Sequence, residues 1–195
     1  MDEPVTRASS MAEQQLAAEL PRRWAHVRAV GSKAASIAWS LPPADRDVLV
    51  AAAWLHDIGY SSGIARTGFH PLDGARWLRD RRLDPRVIAL VAHHSCALIE
   101  AEERGLADER GLADELAAEF PLERSETADA LWYCDLTTGP DGQACDVVDR
   151  LNEIRIRYGP GEIVTRFIDR AQDQLVAAVR RTESRLSVAI ADRTI

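Results

Sequence analysis

All five histidines of the chain, His26, His56, His70, His93 and His94, fall in its first half. Imidazole nitrogens and carboxylate oxygens together make a donor set suited to divalent transition metals. His56 is followed at once by Asp57, and the pair closes the most apolar run of the sequence, VLVAAAWL. A carboxylate after such a run is costly to bury unless a cation or hydrogen-bond donors meet it. A metal ion is a natural partner. His93-His94 likewise follows an apolar stretch, VIALVA. Taken singly, a histidine in such a setting is more often a core residue bonded to backbone than a ligand. Five together, one of them beside an Asp, favour a metal site. No single-helix box of the H-E-x-x-H kind is present, so the ligands must converge from separate helices, as in bundle metal sites.

The elements that must position these side chains read as helices. Ala, Leu, Arg and Glu dominate, and no stretch sustains a period-two alternation. The spacing predicts a first helix from about Ala12 and a second opened by Pro21. Trp24, Val27, Ala34, Ala38 and Leu41 form its apolar stripe, and Leu41-Pro42-Pro43 stops it. The next helix, over 44–59, is apolar nearly all round after Val48 and is the expected central one, with Gly59 at its C-cap. Residues 61–68, SSGIARTG, read as a loop. Helices follow near 71–81, from Asp84-Pro85 through VIALVAHHSCALIEAEE, over 125–138, near 144–158 and over 161–182. The sequence RGLADE occurs twice in succession, at 104–109 and 110–115. This is far below a solenoid period and reads as a local duplication lengthening an exposed loop or helix. Ile163, Phe167, Ile168, Ala171, Leu175, Val176 and Val179 form a stripe on the last helix that reads first as core, with a homodimer surface as the alternative.

Composition bounds the class. With 195 residues, 46% hydrophobic and 28% charged, the chain fits one globular domain and neither a disordered polyelectrolyte nor a membrane protein. The longest apolar run, Val48 to Leu55, is too short to span a bilayer. The acidic start has no apolar core and argues against a secretory signal, so the expected location is cytoplasmic. A net charge of −7 argues against a nucleic-acid partner. Cys96, Cys134 and Cys145 lack C-x-x-C spacing, which disfavours a disulfide framework and a thiolate zinc site. The expectation is a single all-α domain: an N-terminal extension over 1–20, a core over 21–140, and C-terminal helices over 141–195 packed on it.

The order of these residues resembles the HD-domain superfamily of metal-dependent phosphohydrolases. The family's His-Asp pair stands here in Leu55-His56-Asp57-Ile58-Gly59. By position, His26 matches the first His and Asp135, in LWYCDLTTGPDG, matches the last Asp. His70, in GFHPLDGARWL, and His93, in LVAHHS, match the extra histidines of two-metal members. The resemblance, over roughly residues 20–140, implies a helical-bundle fold and one or two divalent ions held by His26, His56, Asp57, His70, His93 and Asp135. It implies catalysis by His26, His56, Asp57 and Asp135, with the pair's Asp bridging the metals. Asp129 competes for the last-Asp role but lacks the Thr-Thr-Gly context. Several departures are visible. HHSCALIEAEERG lacks the pattern of cyclic di-GMP hydrolases, Tyr60 replaces a Lys often found after the pair, and Arg22 stands where three-metal members place a Glu.

The function so implied is hydrolysis of a phosphate ester of a small molecule, a nucleotide being the class expected, by a metal-activated hydroxide. A donor set of His and carboxylate suits Fe, Mn, Co or Ni better than zinc. The partner expected is a small phosphorylated substrate, with no nucleic acid and no membrane. Lys33, Arg66 and Thr138 are candidates for substrate contact, and His94 for a supporting or structural role. Two other readings share the ligand set: a di-iron oxygenase of the HD fold and a nucleotide-binding module without turnover.

Overall fold

The apolar run ending at the His56-Asp57 pair becomes the centre of the molecule. The structure is a computed structural model and describes residues 3–108 and 111–192. In chain order the helices are α1 (Glu3–Leu16), α2 (Pro21–Ile37), α3 (Pro43–Leu55), α4 (His70–Asp80) and α5 (Pro85–Ala92). They continue with α6 (Ala97–Asp108), α7 (Leu112–Glu119), α8 (Glu126–Leu136), α9 (Val147–Tyr158) and α10 (Ile163–Asp192). No strand occurs among the described residues, so the all-α expectation holds. Residues 109 and 110 of the duplicated RGLADE lie outside the described residues.

α3 buries Leu49, Val50, Ala51, Ala52, Ala53 and Leu55 and is packed on α1, α2, α5 and α8. Each large aliphatic side chain removed from water in this way contributes about 1.5–3 kcal/mol. A second cluster joins Leu136 to Leu151, Phe167, Ile168, Ala171, Leu175 and Val179. The stripe on α10 is therefore core, laid against α8 and α9.

Four boundaries differ from the sequence expectation, each for a local reason. α1 begins at Glu3 and not near Ala12, because Val5 and Ala8 extend the buried spacing of Ala12 and Leu16. α3 stops at Leu55, so His56 and Asp57 leave the helix and a short turn, Ile58–Tyr60, follows. The helix expected to run unbroken from Pro85 ends at Ala92, and Ser95 and Cys96 adopt positive φ of 48° and 60° before α6 starts. α10 continues to Asp192, beyond the expected 182.

Capping fixes the entries of the helices that carry the site. The Asp84 side chain accepts from the Arg86 and Val87 backbone N–H groups at 2.7 and 3.4 Å. Ser125 does the same for α8, accepting from the Ala128 N–H at 3.1 Å. Each such cap is worth about 1 kcal/mol.

Candidate metal centre

Five separate segments deliver the polar groups. His26 lies inside α2, His56 and Asp57 just past α3, and His70 opens α4. His94 follows the break after α5, and Asp135 sits in the last turn of α8. The approach of α4 depends on Gly59. A Cβ there would stand 2.1 Å from the His70 carbonyl oxygen and 2.8 Å from the Gly74 nitrogen. Only glycine lets the 58–60 turn touch the start of α4, which brings His70 to the Asp57 carboxylate. The sequence reading of Gly59 as a helix C-cap is thus replaced by a close-contact role. Asp73 holds the preceding loop from α4, accepting from the backbone N–H groups of Arg66, Thr67 and Gly68 at 2.9–3.2 Å.

The ring nitrogens are oriented by backbone. His26 Nδ1 lies 3.0 Å from the Gly139 carbonyl oxygen, His56 Nδ1 2.9 Å from Ala53, and His94 Nδ1 2.7 Å from Val91. A carbonyl accepts only, so each Nδ1 donates and each Nε2 is left to face inward. Those Nε2 atoms meet two carboxylates. His26 Nε2 lies 3.1 Å from Asp135 Oδ1, and His56 Nε2 lies 3.7 Å from the same oxygen. Asp57 Oδ2 stands 3.9 Å from His26 Nε2 and 3.4 Å from His56 Nε2. The other oxygen, Asp57 Oδ1, stands 3.4 Å from His70 Nε2 and 3.9 Å from His94 Nε2. His70 and His94 Nε2 atoms are 3.1 Å apart. Two groups of metal-compatible donors result, His26, His56 and Asp135, and Asp57, His70 and His94. Asp57 offers one oxygen to each.

The donor geometry fits a cation. With metal–ligand bonds of about 2.1 Å, neighbouring donors in octahedral or tetrahedral shells lie roughly 3.0–3.4 Å apart, close to the separations here. His56 Nε2 is fully buried and has no hydrogen-bond partner, a costly state for a polar atom that a metal would relieve. Arg23 reaches the same cluster, its Nη1 donating to Asp57 Oδ2 at 2.7 Å.

Electrostatics agree with ligand duty. Burial opposes ionisation of Asp57, but Arg23 and His56 overturn that and hold its carboxyl well below the usual carboxylate range. Asp135 is likewise held low against its burial by the hydrogen bond to His26 and the charge of His56. Burial would depress His56, yet Asp57 and Asp135 raise it to about 9. Burial keeps His70 and His94 below the ordinary imidazole value and hence neutral. Two ionised carboxylates stand beside the neutral imidazoles of His70 and His94, as a divalent ion requires, and the same carboxylates keep His56 charged until a cation displaces its proton.

The structure separates the remaining site candidates. His93, expected as the ligand, faces away: its Nε2 donates to the Phe120 carbonyl oxygen at 2.9 Å, tying α5 to the end of α7. His94, expected as a supporting residue, takes the place beside Asp57 and His70. The reason is the helix break. Ending α5 at Ala92 turns the next residues out of helical register, so the neighbouring rings point to opposite sides. Lys33 donates to the Thr137 carbonyl oxygen at 2.5 Å and hydroxyl at 2.8 Å, bracing the end of α8 without reaching the cluster. Arg66 lies exposed and donates to Ala65 and Gly63 carbonyl oxygens. Thr138 is buried and donates to the Cys134 carbonyl oxygen at 2.7 Å. Neither Arg66 nor Thr138 lines the cavity over the cluster. Asp129 pairs with Arg181 through two bonds of 2.7 Å, elsewhere on α8. Arg22 pairs with exposed Asp141.

Three groups were not anticipated. Arg23 also lies over the Tyr60 ring at 4.1 Å, and Tyr60 stacks on His70 with centroids 4.0 Å apart. Its position three residues before His26, on the same side of α2, was the available signal. Ser95 donates to Asp135 Oδ2 at 2.5 Å and so orients that carboxylate. Arg104, Arg150 and Arg157 line the cavity, of about 120 Å³, over the cluster. The last two come from α9, and nothing local in the sequence marks them.

No helix among the described residues is long and apolar enough to cross a membrane. No curated protein and no solved structure matches the chain. The family model described as HD domain matches residues 23–130, a span that holds His26, His56, Asp57, His70 and His94 and stops short of Asp135. As that span is more than half of the 195 residues, and as its histidines and aspartate are the ones the fold gathers into one cluster, the chain belongs to the HD domain family.

Proposed function

We propose that the protein is a metal-dependent phosphohydrolase that cleaves a phosphate ester of a small molecule, with a nucleotide the first class to test. The observation that carries this is the placing of Asp57 between two donor groups, one oxygen toward His26 and His56 and the other toward His70 and His94. Members of the HD domain family are generally metal-dependent phosphohydrolases.

His26, His56 and Asp135 would hold one divalent ion and His70 and His94 a second, with Asp57 shared. Ions so held supply Lewis acidity toward phosphoryl oxygens and lower the pKa of water. The donors are nitrogen and oxygen only, which supports Fe, Mn, Co or Ni over zinc. The chain's own residues do the rest. Arg23 balances part of the Asp57 charge, and Ser95 fixes Asp135. Arg104, held by Glu100, faces the cavity and offers a guanidinium to phosphoryl oxygens. Tyr60, stacked on His70, shields one flank of the cluster from water. The net charge of −7 does not oppose a phosphate substrate, because the ions and the arginines supply local positive charge.

The test is a screen of the purified protein, loaded separately with Mn(II), Co(II) and Fe(II), for inorganic phosphate release from nucleoside monophosphates, nucleoside triphosphates and sugar phosphates. Release from one class supports the reading. Metal binding without phosphate release, accompanied by O2 consumption of the Fe(II) form with an organic substrate, transfers the assignment to oxygenase chemistry.

A further inference from the structure

A second cavity, of about 340 Å³, adjoins the one over the cluster, and Arg23, His26, Arg150 and Arg157 line both. Together the two reach the size of ordinary small-ligand sites. The inner cavity alone has little room beyond a phosphoryl group and its metal ligands. A group attached to that phosphoryl can reach the outer lobe past His26, which lines both cavities.

The outer lobe has a marked sign. Arg22, Arg23, Arg150 and Arg157 face it against one acidic residue, Glu19, in a chain whose net charge is −7. The acidic partners of these arginines are set back from its lining. Asp141 pairs with Arg22 where both side chains are more than half exposed. Glu153 is shared, donated to by Arg150 and standing 3.6 Å from Arg157. The Arg22–Asp141 and Arg157–Glu153 pairs are exposed and of a kind that contributes little, typically under about 1 kcal/mol, so an incoming anion re-partners them at small cost. Guanidinium groups also match the paired oxygens of phosphate and carboxylate. Arg22, Arg150 and Arg157 lie outside the matched span of 23–130, so the family match itself assigns this wall no role.

We propose that the substrate carries two anionic groups, a phosphoryl group at the metal cluster and a second phosphate or carboxylate held in the outer lobe by Arg22, Arg150 and Arg157. The inference rests on the phosphohydrolase reading for the first group and on the outer arginines alone for the second.

The test compares esters on the Mn(II)-loaded full chain. p-Nitrophenyl phosphate has one anionic group, fructose 1,6-bisphosphate adds a second phosphate, and 3-phosphoglycerate adds a carboxylate. In the Arg150→Gln/Arg157→Gln variant, kcat/KM for the preferred two-anion ester falls about tenfold more than for p-nitrophenyl phosphate, as one lost charge-assisted contact requires. Which two-anion ester is preferred identifies the second group. Arg157→Gln alone, at a more exposed position, gives the same direction if the double variant folds poorly. Calorimetric titration of the metal-free chain with inorganic phosphate provides a readout without turnover, and binding weakens in both variants. An equal fall for all esters, or phosphate binding unchanged by the substitutions, overturns the proposal. Failure of these esters and of every nucleotide in the phosphate-release screen instead removes the phosphohydrolase reading, and the phosphate titration still decides whether the outer lobe binds an anion.

Discussion

Arg23 Nη1 donates to Asp57 Oδ2 at 2.7 Å, joining α2 to the residue that stands between the two donor groups. The same guanidinium lies over Tyr60, which stacks on His70, so one arginine touches both the carboxylate and the support of an imidazole. A hydrogen bond to a charged group is worth about 1.5–3 kcal/mol. Arg23→Gln keeps a donor but not the charge or the planar fork. It is expected to retain metal by elemental analysis and to lose about tenfold or more in kcat/KM for the phosphate ester identified by the screen. Undiminished turnover in this variant would show that Arg23 only packs.

His93 and His94 differ by one position and by everything they touch. His94→Ala removes a donor from the group formed with Asp57 and His70, and it should lower the metal content while leaving the helical circular dichroism intact. His93→Ala strips the buried Phe120 carbonyl of its partner, a loss of about 1–3 kcal/mol. For a chain of this size that corresponds to roughly 2–12 °C in Tm, with metal content unchanged. The reverse pattern of metal loss would return His93 to the ligand set.

Gly59→Ala tests the contact that brings His70 to Asp57. The added methyl would meet the His70 carbonyl oxygen and Gly74 nitrogen, both backbone atoms that cannot rotate aside. Overpacking of this kind costs about 1–3 kcal/mol or more. The variant should melt several degrees lower and bind fewer metal ions, measured by calorimetry and elemental analysis on the same preparation. A variant with native Tm and native metal content would show that α4 approaches without this glycine.

Metal removal should itself destabilise the fold, because the cluster ties α2, α4 and α8 to the segments after α3 and α5. An ion present at a hundred times its Kd adds about 2.7 kcal/mol to stability. Chelation is therefore expected to lower Tm, with recovery on adding Mn(II) or Co(II). A Tm indifferent to chelator and metal alike would argue that the cluster holds no ion in solution.

Much of the site was legible in the sequence because its chemistry is carried by scarce residue types in a telling order. His26, the His56-Asp57 pair, His70 and Asp135 are brought within one cluster, and the helical architecture followed from composition and spacing. The exchange of His93 for His94 was not legible. It turns on positive φ at Ser95 and Cys96, residues that do not announce a helix break as Gly or Pro would. Arg150 and Arg157 were hidden for another reason. They reach the cavity only because α10 packs α9 back onto α8, a tertiary relationship with no local marker. Lys33 had the right spacing from His26 to reach the cluster, but the carbonyl and hydroxyl of Thr137 capture its ammonium.

The central claim is that Asp57 is shared between two metal ions that support phosphate release, and Asp57→Ala tests it most directly. Elemental analysis and phosphate release are measured on wild type and variant, with circular dichroism as the control for folding. Wild type is expected to carry two divalent ions per chain, one for each donor group, and to release phosphate. The variant is expected to remain helical, to lose metal and to show no turnover. Wild-type-like phosphate release by Asp57→Ala would contradict the account.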